Sequence, residues 1–494
     1  MSRSFRLAAW VFLGTMLVQA AWVLAVPPFR GIDEFDHVYR AASVADGHWM
    51  PSGEVPDDGR GELVYVSPGI VRDAGPACSA LQYTGPDNCN PAEVLDQGVV
   101  SVGSGAARYN PAFYFVVGFA AQPFDGAPAM YVMRAVNALL CSLLLAAGVW
   151  ATSRWARTRW PLVALLGVVT PVAVYSTSVP GPNGVEMCGA VGLWTCLLGM
   201  GRVDAATRRR LLVVGAACAV PLTLVRGLGP LWLATVVIVA WVHVGPRRTF
   251  TLLREVPRTA LGCVLALAAV GVAAVGWIVG VDSLAPENAA PGGNPVVETL
   301  RQVPAWFLQS LAAFPLRNEA APMVVYATAG LALLGLLGLA VRQADRRGRL
   351  ELLFAFASAL TVPVLLTVLT YETAGVIWQG RYGWPLSMGV VLLAGALLDR
   401  RPPAHPLVVP GLVTGAVMWG VAHVVSVTDL AIDEGKGVLG DHPAWWTLPP
   451  WTLAALTVAG LACWWRAATA ELPNESSRIA HSGQTLALLS TGDR

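Results

Sequence analysis

Residues 30–41 read RGIDEFDHVYRA and put three carboxylates, a histidine and two arginines into twelve positions. Asp33, Glu34, Asp36 and His37 are side chains of the kind that take a proton from a reacting hydroxyl. The adjacent acids Asp33 and Glu34 are also hard oxygen ligands of the sort a divalent cation, magnesium or manganese, would accept. Asp33, Asp36, His37 and Arg40 stand at i, i+3, i+4 and i+7, so a helix would carry them on one face. A plainer account explains the acids alone: Asp33 as an N-cap, with Glu34 or Asp36 in a first turn favoured by the helix dipole. It leaves His37 and Arg40 unexplained. Under either account Asp33→Asn and Glu34→Gln are expected to leave the fold intact.

Further along the chain, other short polar stretches interrupt apolar ones. RYNPAFYF (108–115) offers Arg108, Tyr109 and Asn110, and SVPGPNGVE (178–186) is a Pro/Gly turn with Asn183 and Glu186. LVRGLGP places Arg226 at a hairpin, and YETAGVIWQGRYGWP (371–385) brings Glu372, Gln379, Arg381 and Tyr382. Arg226 and Arg381 have the planar donors that grip a phosphate. Tyr109, Tyr382 and Trp384 would equally suit the aromatic belt of a membrane interface.

The elements that must position these residues are membrane helices. The 494-residue chain is 55% hydrophobic and 13% charged, against about 25% charged in soluble domains. Apolar runs of about 20 residues, enough to span a bilayer, fall near 7–26, 127–150, 160–179, 184–201, 211–225, 229–244, 259–281, 323–341, 350–370, 384–398, 407–425 and 450–466. The first run lacks a small-residue cleavage site before Pro27 and reads as a retained span rather than a signal peptide. The chain is thus expected to be an all-α polytopic membrane protein with about twelve spans, comprising a transmembrane domain over 1–466 and a cytoplasmic tail over 467–494. With the amino terminus in the cytoplasm, 22 of the 33 basic residues fall on the cytoplasmic side and only eight of the 31 acids do. The polar stretches above then lie outside, beginning with a long first extracytoplasmic loop over about 27–126. Anchoring arginines belong on the other face, which strengthens a phosphate role for Arg226 and Arg381.

Six of the eight cysteines sit inside expected spans, where cysteine acts as a small apolar residue. Cys78 and Cys89 lie in the first outer loop and are expected to form a disulfide there. No CxxC, HExxH, P-loop or GxSxG pattern occurs, so soluble metalloprotease, ATPase and serine-hydrolase readings have no support. The net charge of +2 gives no footprint for a nucleic acid, and none is expected as a partner.

PPFRGIDEFDHVYRA, RYNPAFYF, RAVNALL, SVPGPNGVE and WQGRYGWP, in that order, resemble a bacterial family of predicted polytopic membrane proteins with DE..H after the first helix and QGRY in a late outer loop. That family is similar in turn to the GT-C class of integral-membrane glycosyltransferases. The resemblance implies a first-loop acid acting as catalytic base or metal ligand, a polyprenyl-phosphate sugar donor, a glycan or lipid-linked acceptor, and transfer on the outer face of the bacterial cytoplasmic membrane. Carried over, the acid pair is Asp33 and Glu34, the histidine His37 and the late-loop arginine Arg381, with Asp36 in support. Arg40, Tyr109, Asn110, Asn183, Arg226, Gln379 and Tyr382 are the further candidates for substrate. Family members often have an Asp where this chain has Asn183, which makes that residue the poorer candidate for base or metal chemistry. Two other readings stay open: a transporter or flippase for lipid-linked saccharides, and a relative that binds them without turnover.

Overall fold

The computed structural model describes residues 2–90, 98–284, 292–316, 319–376, 378–435 and 448–470. α1 (Arg3–Ala25) is apolar along its length and ends where Pro27 and Pro28, which have no N–H to continue the ladder, follow Val26. The connection after it is folded. It holds α2 (Glu34–Ala45), β1 (Glu62–Val66), α3 (Pro68–Ser79), α4 (Pro86–Cys89), β2 (Val100–Ser104) and α5 (Pro111–Ala121). β1 and β2 pair antiparallel, Glu62 opposite Ser104 and Val66 opposite Val100. Hydropathy does not announce this ribbon, because alternate residues of β1 face the interior and the intervening ones do not. Cys78 and Cys89 are joined, tying α3 to α4.

Then follow α6 (Gly126–Trp155), α7 (Trp160–Gly167), α8 (Pro171–Ser178), α9 (Pro182–Gly199), α10 (Ala205–Leu224), α11 (Gly229–Val244), α12 (Pro246–Arg254) and α13 (Pro257–Gly280). α14 (Pro295–Leu311), α15 (Met323–Gln343), α16 (Arg346–Ala374), α17 (Trp384–Arg400), α18 (Val408–Gly435) and α19 (Pro450–Thr469) complete the described helices.

Every expected span coincides with one of these helices or with the α7–α8 pair. By length and composition, seven described helices are fit to cross a membrane, or nine if the bent pairs α7–α8 (63°) and α11–α12 (96°) each make one span. The expectation of about twelve also counted α10, α17 and α19. Three consecutive arginines open α10, α17 has only 17 residues, and α19 carries Arg466 with tryptophans near both ends. The expected tail lies outside the described residues from 471 onward.

α9 is the axis of the bundle, with 89% of its apolar stretch buried. It packs against α6 and α10, and glycine makes this possible: a Cβ on Gly192 would stand 2.4 Å from Cys218 Sγ, and one on Gly199 would stand 2.1 Å from the Trp155 ring. α13 is the opposite case, with 6% of its stretch buried and Val272 and Val279 projecting outward, as a lipid-facing helix requires.

Candidate active site

The chain leaves α1 through Pro27 and Pro28 and turns sharply, with Phe29 at φ 61° and Asp33 at φ 51°. A left-handed backbone is uncommon for a side-chain-bearing residue, and aspartate is among those that tolerate it. The turn is locked from several sides. Ile32 N–H donates to the Tyr175 hydroxyl (2.7 Å), which itself donates to the Pro315 carbonyl (2.7 Å), and Gly31 N–H donates to Glu34 Oε2 (2.9 Å). Asp33 thus occupies the N-cap position of α2, but its carboxylate makes no capping hydrogen bond. Its two oxygens face two guanidinium groups instead: Oδ1 lies 3.5 Å from Arg60 Nη2 and Oδ2 lies 3.5 Å from Arg381 Nη2, with the side chain 31% exposed.

Arg381 reaches Asp33 from the segment before α17. That segment is pressed onto α14: Gly380 N–H donates to Gln309 Oε1 (2.8 Å), and a Cβ on Gly380 would stand 2.0 Å from the Trp306 carbonyl oxygen. The glycine of QGRY is therefore a packing requirement that fixes where the arginine points. The Tyr382 ring lies beside two cations, with the Arg226 guanidinium 4.2 Å and that of Arg381 5.4 Å from its centroid. Arg226 in turn donates to Glu186 Oε2 of α9 (3.1 Å). Among the described residues, four buried polar atoms here have no hydrogen-bond partner: Arg381 Nε, Gln379 Oε1, Asn183 Oδ1 and Glu186 Oε1. Buried donors and acceptors left unpaired are costly, and their gathering here marks a place able to bond a polar ligand.

His37 closes another side. Its Nδ1 is 2.8 Å from the Tyr114 hydroxyl, and its ring meets Tyr109 edge-on. Burial, reinforced by Arg381, Arg226 and Arg60 and only partly offset by Asp33, holds the imidazole pKa down at about 4. It is neutral at physiological pH, with one ring nitrogen a donor and the other an acceptor. Burial also raises the Tyr109 phenol above its usual range, against the pull of nearby Arg226.

Thus Asp33, His37, Tyr109, Asn183, Arg226, Gln379, Arg381 and Tyr382, from five separate stretches, come to one place. The other candidates do not join them. Glu34 is fully buried, and Arg134 Nε and Nη2 donate to its two oxygens at 2.6 and 2.7 Å. Asp36 Oδ1 accepts from Gly105 N–H (2.7 Å) and Oδ2 pairs with Arg60, pinning α2 to the end of β2. Arg40 donates to the carbonyls of His48, Trp49 and Tyr109. Asn110 caps α5 by accepting from Ala112 N–H (3.0 Å). Asp33 and Glu34, expected as possible metal ligands, have different partners: Glu34 bonds Arg134, Asp33 faces Arg60 and Arg381, and among the described residues no three His, Cys, Asp or Glu side chains come together as a cation site. Two arginines beside Asp33 are a poor setting for a divalent cation.

Sequence reasoning passed over Arg60, Tyr114 and Arg134. Arg134 carried a usable signal, a charge within an apolar run. Arg60 and Tyr114 carried none.

A family model described as predicted membrane protein (DUF2142) matches residues 16–390, from within α1 to within α17, which include both Asp33 and Arg381. The chain belongs to the DUF2142 family. Among solved structures, this DUF2142 protein is similar to ArnT from Cupriavidus metallidurans bound to undecaprenyl phosphate, with 14% identity, 93% of this chain and 77% of that chain covered, and a TM-score of 0.48. The apo state of ArnT from Cupriavidus metallidurans gives 0.46 at the same identity and coverage. No curated protein matches the sequence.

Proposed function

We propose that this DUF2142 protein is a glycosyltransferase of GT-C type. It moves a sugar from a polyprenyl-phosphate donor to a glycan or lipid-linked acceptor on the outer face of the bacterial cytoplasmic membrane, with its amino terminus in the cytoplasm. The observation that carries the reading is Asp33, freed from capping by its left-handed backbone and held opposite Arg381 at 3.5 Å. An acid and a phosphate-gripping cation at one edge of a membrane bundle are what transfer from a lipid phosphate needs.

In the reaction the acceptor hydroxyl oxygen attacks the anomeric carbon as the bond from that carbon to the phosphate oxygen breaks. The acceptor's proton passes to the Asp33 carboxylate, and the bonding electrons leave with the polyprenyl phosphate. Arg381 and Arg226 meet the charge that develops on that oxygen. A single displacement of this kind inverts the anomeric centre. Neutral His37, with Nδ1 engaged by Tyr114, positions the acceptor through its other nitrogen. No metal is assigned a step.

The test is transfer by purified protein from labelled polyprenyl-phosphate sugars to candidate acceptors. Product should form with inverted configuration, and Asp33→Asn should lower the rate by about 100-fold to 10,000-fold with melting unchanged, because asparagine also accepts a left-handed backbone. Donor binding without product across the donor set would support the non-catalytic reading, and passage of the lipid-linked sugar across a bilayer without product would support the flippase.

A further inference from the structure

At the far end of the bundle, about 25 Å away by the length of α17 at about 1.5 Å per residue, lies a cavity of about 730 Å³. Its volume falls within the range of small-molecule sites, about 300–1,000 Å³. Six arginines line it: Arg157, Arg202, Arg247, Arg248, Arg347 and Arg400. They come from five different segments. Arg157 follows α6, Arg202 ends the 3-10 turn after α9, Arg247 and Arg248 open α12, Arg347 opens α16 and Arg400 ends α17. A membrane protein's orientation accounts for arginine on this side. It does not require that five segments converge on one concavity.

The convergence is built in. Gly245 has φ 93° and is followed by Pro246, the first residue of α12, and this pair bends α11–α12 by 96° so that the first turn of α12 lines the cavity. Few residues other than glycine adopt that φ. The three carboxylates nearby are already committed, Asp345 to Arg401 (3.4 Å). Asp399 Oδ2 takes Arg202 Nη1 (2.8 Å), while Oδ1 accepts from Arg157 N–H, Thr158 N–H and the Thr158 hydroxyl. Glu351 is shared by His243 Nδ1 (2.8 Å), Arg347 Nε (2.9 Å) and Arg400 Nη1 (3.7 Å). Arg248 reaches only the Gly201 carbonyl (2.7 Å), and among the described residues the guanidinium groups of Arg157, Arg247 and Arg248 have no carboxylate partner. Six positive charges thus stand against three committed negative ones around an open space.

We propose that this cavity is a binding site for an anion bearing two phosphate groups. The inference is independent of the transfer chemistry proposed at the opposite end. Guanidinium groups arranged around a concavity bind phosphate oxygens through paired donors, and basic pockets between membrane helices suit anionic headgroups as well as soluble phosphates. Two probes separate these sources. Full-length protein in nanodiscs of zwitterionic lipid is titrated with inorganic pyrophosphate, and in a second arm an anionic lipid with two phosphates, cardiolipin, is added to the nanodiscs. Saturable pyrophosphate binding identifies a soluble ligand, and a response to the lipid alone identifies a headgroup. In whichever arm responds, Arg247→Gln with Arg248→Gln should lower affinity by about tenfold or more, and Arg157→Gln, on a different segment, should lower it too. Arg209→Gln with Arg210→Gln removes the same charge from α10 outside the cavity and should leave affinity within about threefold, as expected of a merely long-range effect. Melting of each variant without ligand checks that it is folded. Failure of both probes to bind, or equal losses in the two arginine pairs, would overturn the site.

Discussion

Two neighbouring acids at the start of α2 meet opposite fates. Glu34 turns inward and is closed off: both oxygens are taken by Arg134, Oε2 also by Gly31, and Arg134 uses its remaining donors on the carbonyls of Val23, Val26 and Pro27. Asp33 turns to the open edge, where Arg60 and Arg381 stand 3.5 Å from its two oxygens and the side chain is 31% exposed. A charge whose hydrogen bonds are complete is holding the fold, and the Glu34–Arg134 pair fastens α2 and the end of α1 to α6. A charge that is 31% exposed beside Arg381 can still be reached by a ligand. The difference lies in partners and not in residue type, which is why two adjacent carboxylates looked alike in the sequence.

The comparison breaks most readily at Glu34. Glu34→Gln leaves Arg134 buried without its counter-charge and should cost about 3–5 kcal/mol of stability, read as a large fall in melting temperature in detergent. This reverses the expectation that the substitution would leave the fold intact. A near-wild-type melt would mean the pair holds nothing.

His37 sharpens the comparison through pH. Its pKa is about 4 in the folded protein against an ordinary 6.5. Between those values the unfolded chain binds the proton and the folded one does not, so this residue's contribution is present above about pH 6.5 and lost as pH falls toward 4. The loss is about 1.4 kcal/mol per pH unit. Melting measured across that window should fall less steeply for His37→Gln than for wild type; parallel curves would place the imidazole in water.

A smaller effect is expected at Arg381. Arg381→Lys keeps the charge but loses the planar fork, and should weaken donor affinity about tenfold, with melting unchanged. Equal affinity in the two proteins would make Arg381 an anchor for its segment.

The helices that carry the site were legible in the sequence because apolar runs of bilayer length leave little else for the backbone to do. α2 was legible from the helical spacing of Phe35, Val38, Ala41, Ala42 and Ala45, and the Cys78–Cys89 bridge from two cysteines sharing one outer loop. What escaped depended on contacts distant in the chain. Arg134 stands 100 positions from Glu34, and Arg381 stands 348 from Asp33. The motif at 30–41 announced chemistry, but only the fold assigns Asp33 to the open edge, Asp36 and Arg40 to loop attachment and Glu34 to the interior. Asn110 was singled out for its neighbours and is a helix cap. The β1–β2 ribbon was missed because five-residue strands in a polar loop leave little periodic signal.

The most direct measurement compares Asp33→Asn and Glu34→Gln side by side, each read by melting and by sugar transfer per folded molecule. The account predicts that Asp33→Asn melts like wild type and loses turnover, whereas Glu34→Gln melts far lower and its surviving folded fraction still transfers. Full transfer by folded Asp33→Asn would contradict it.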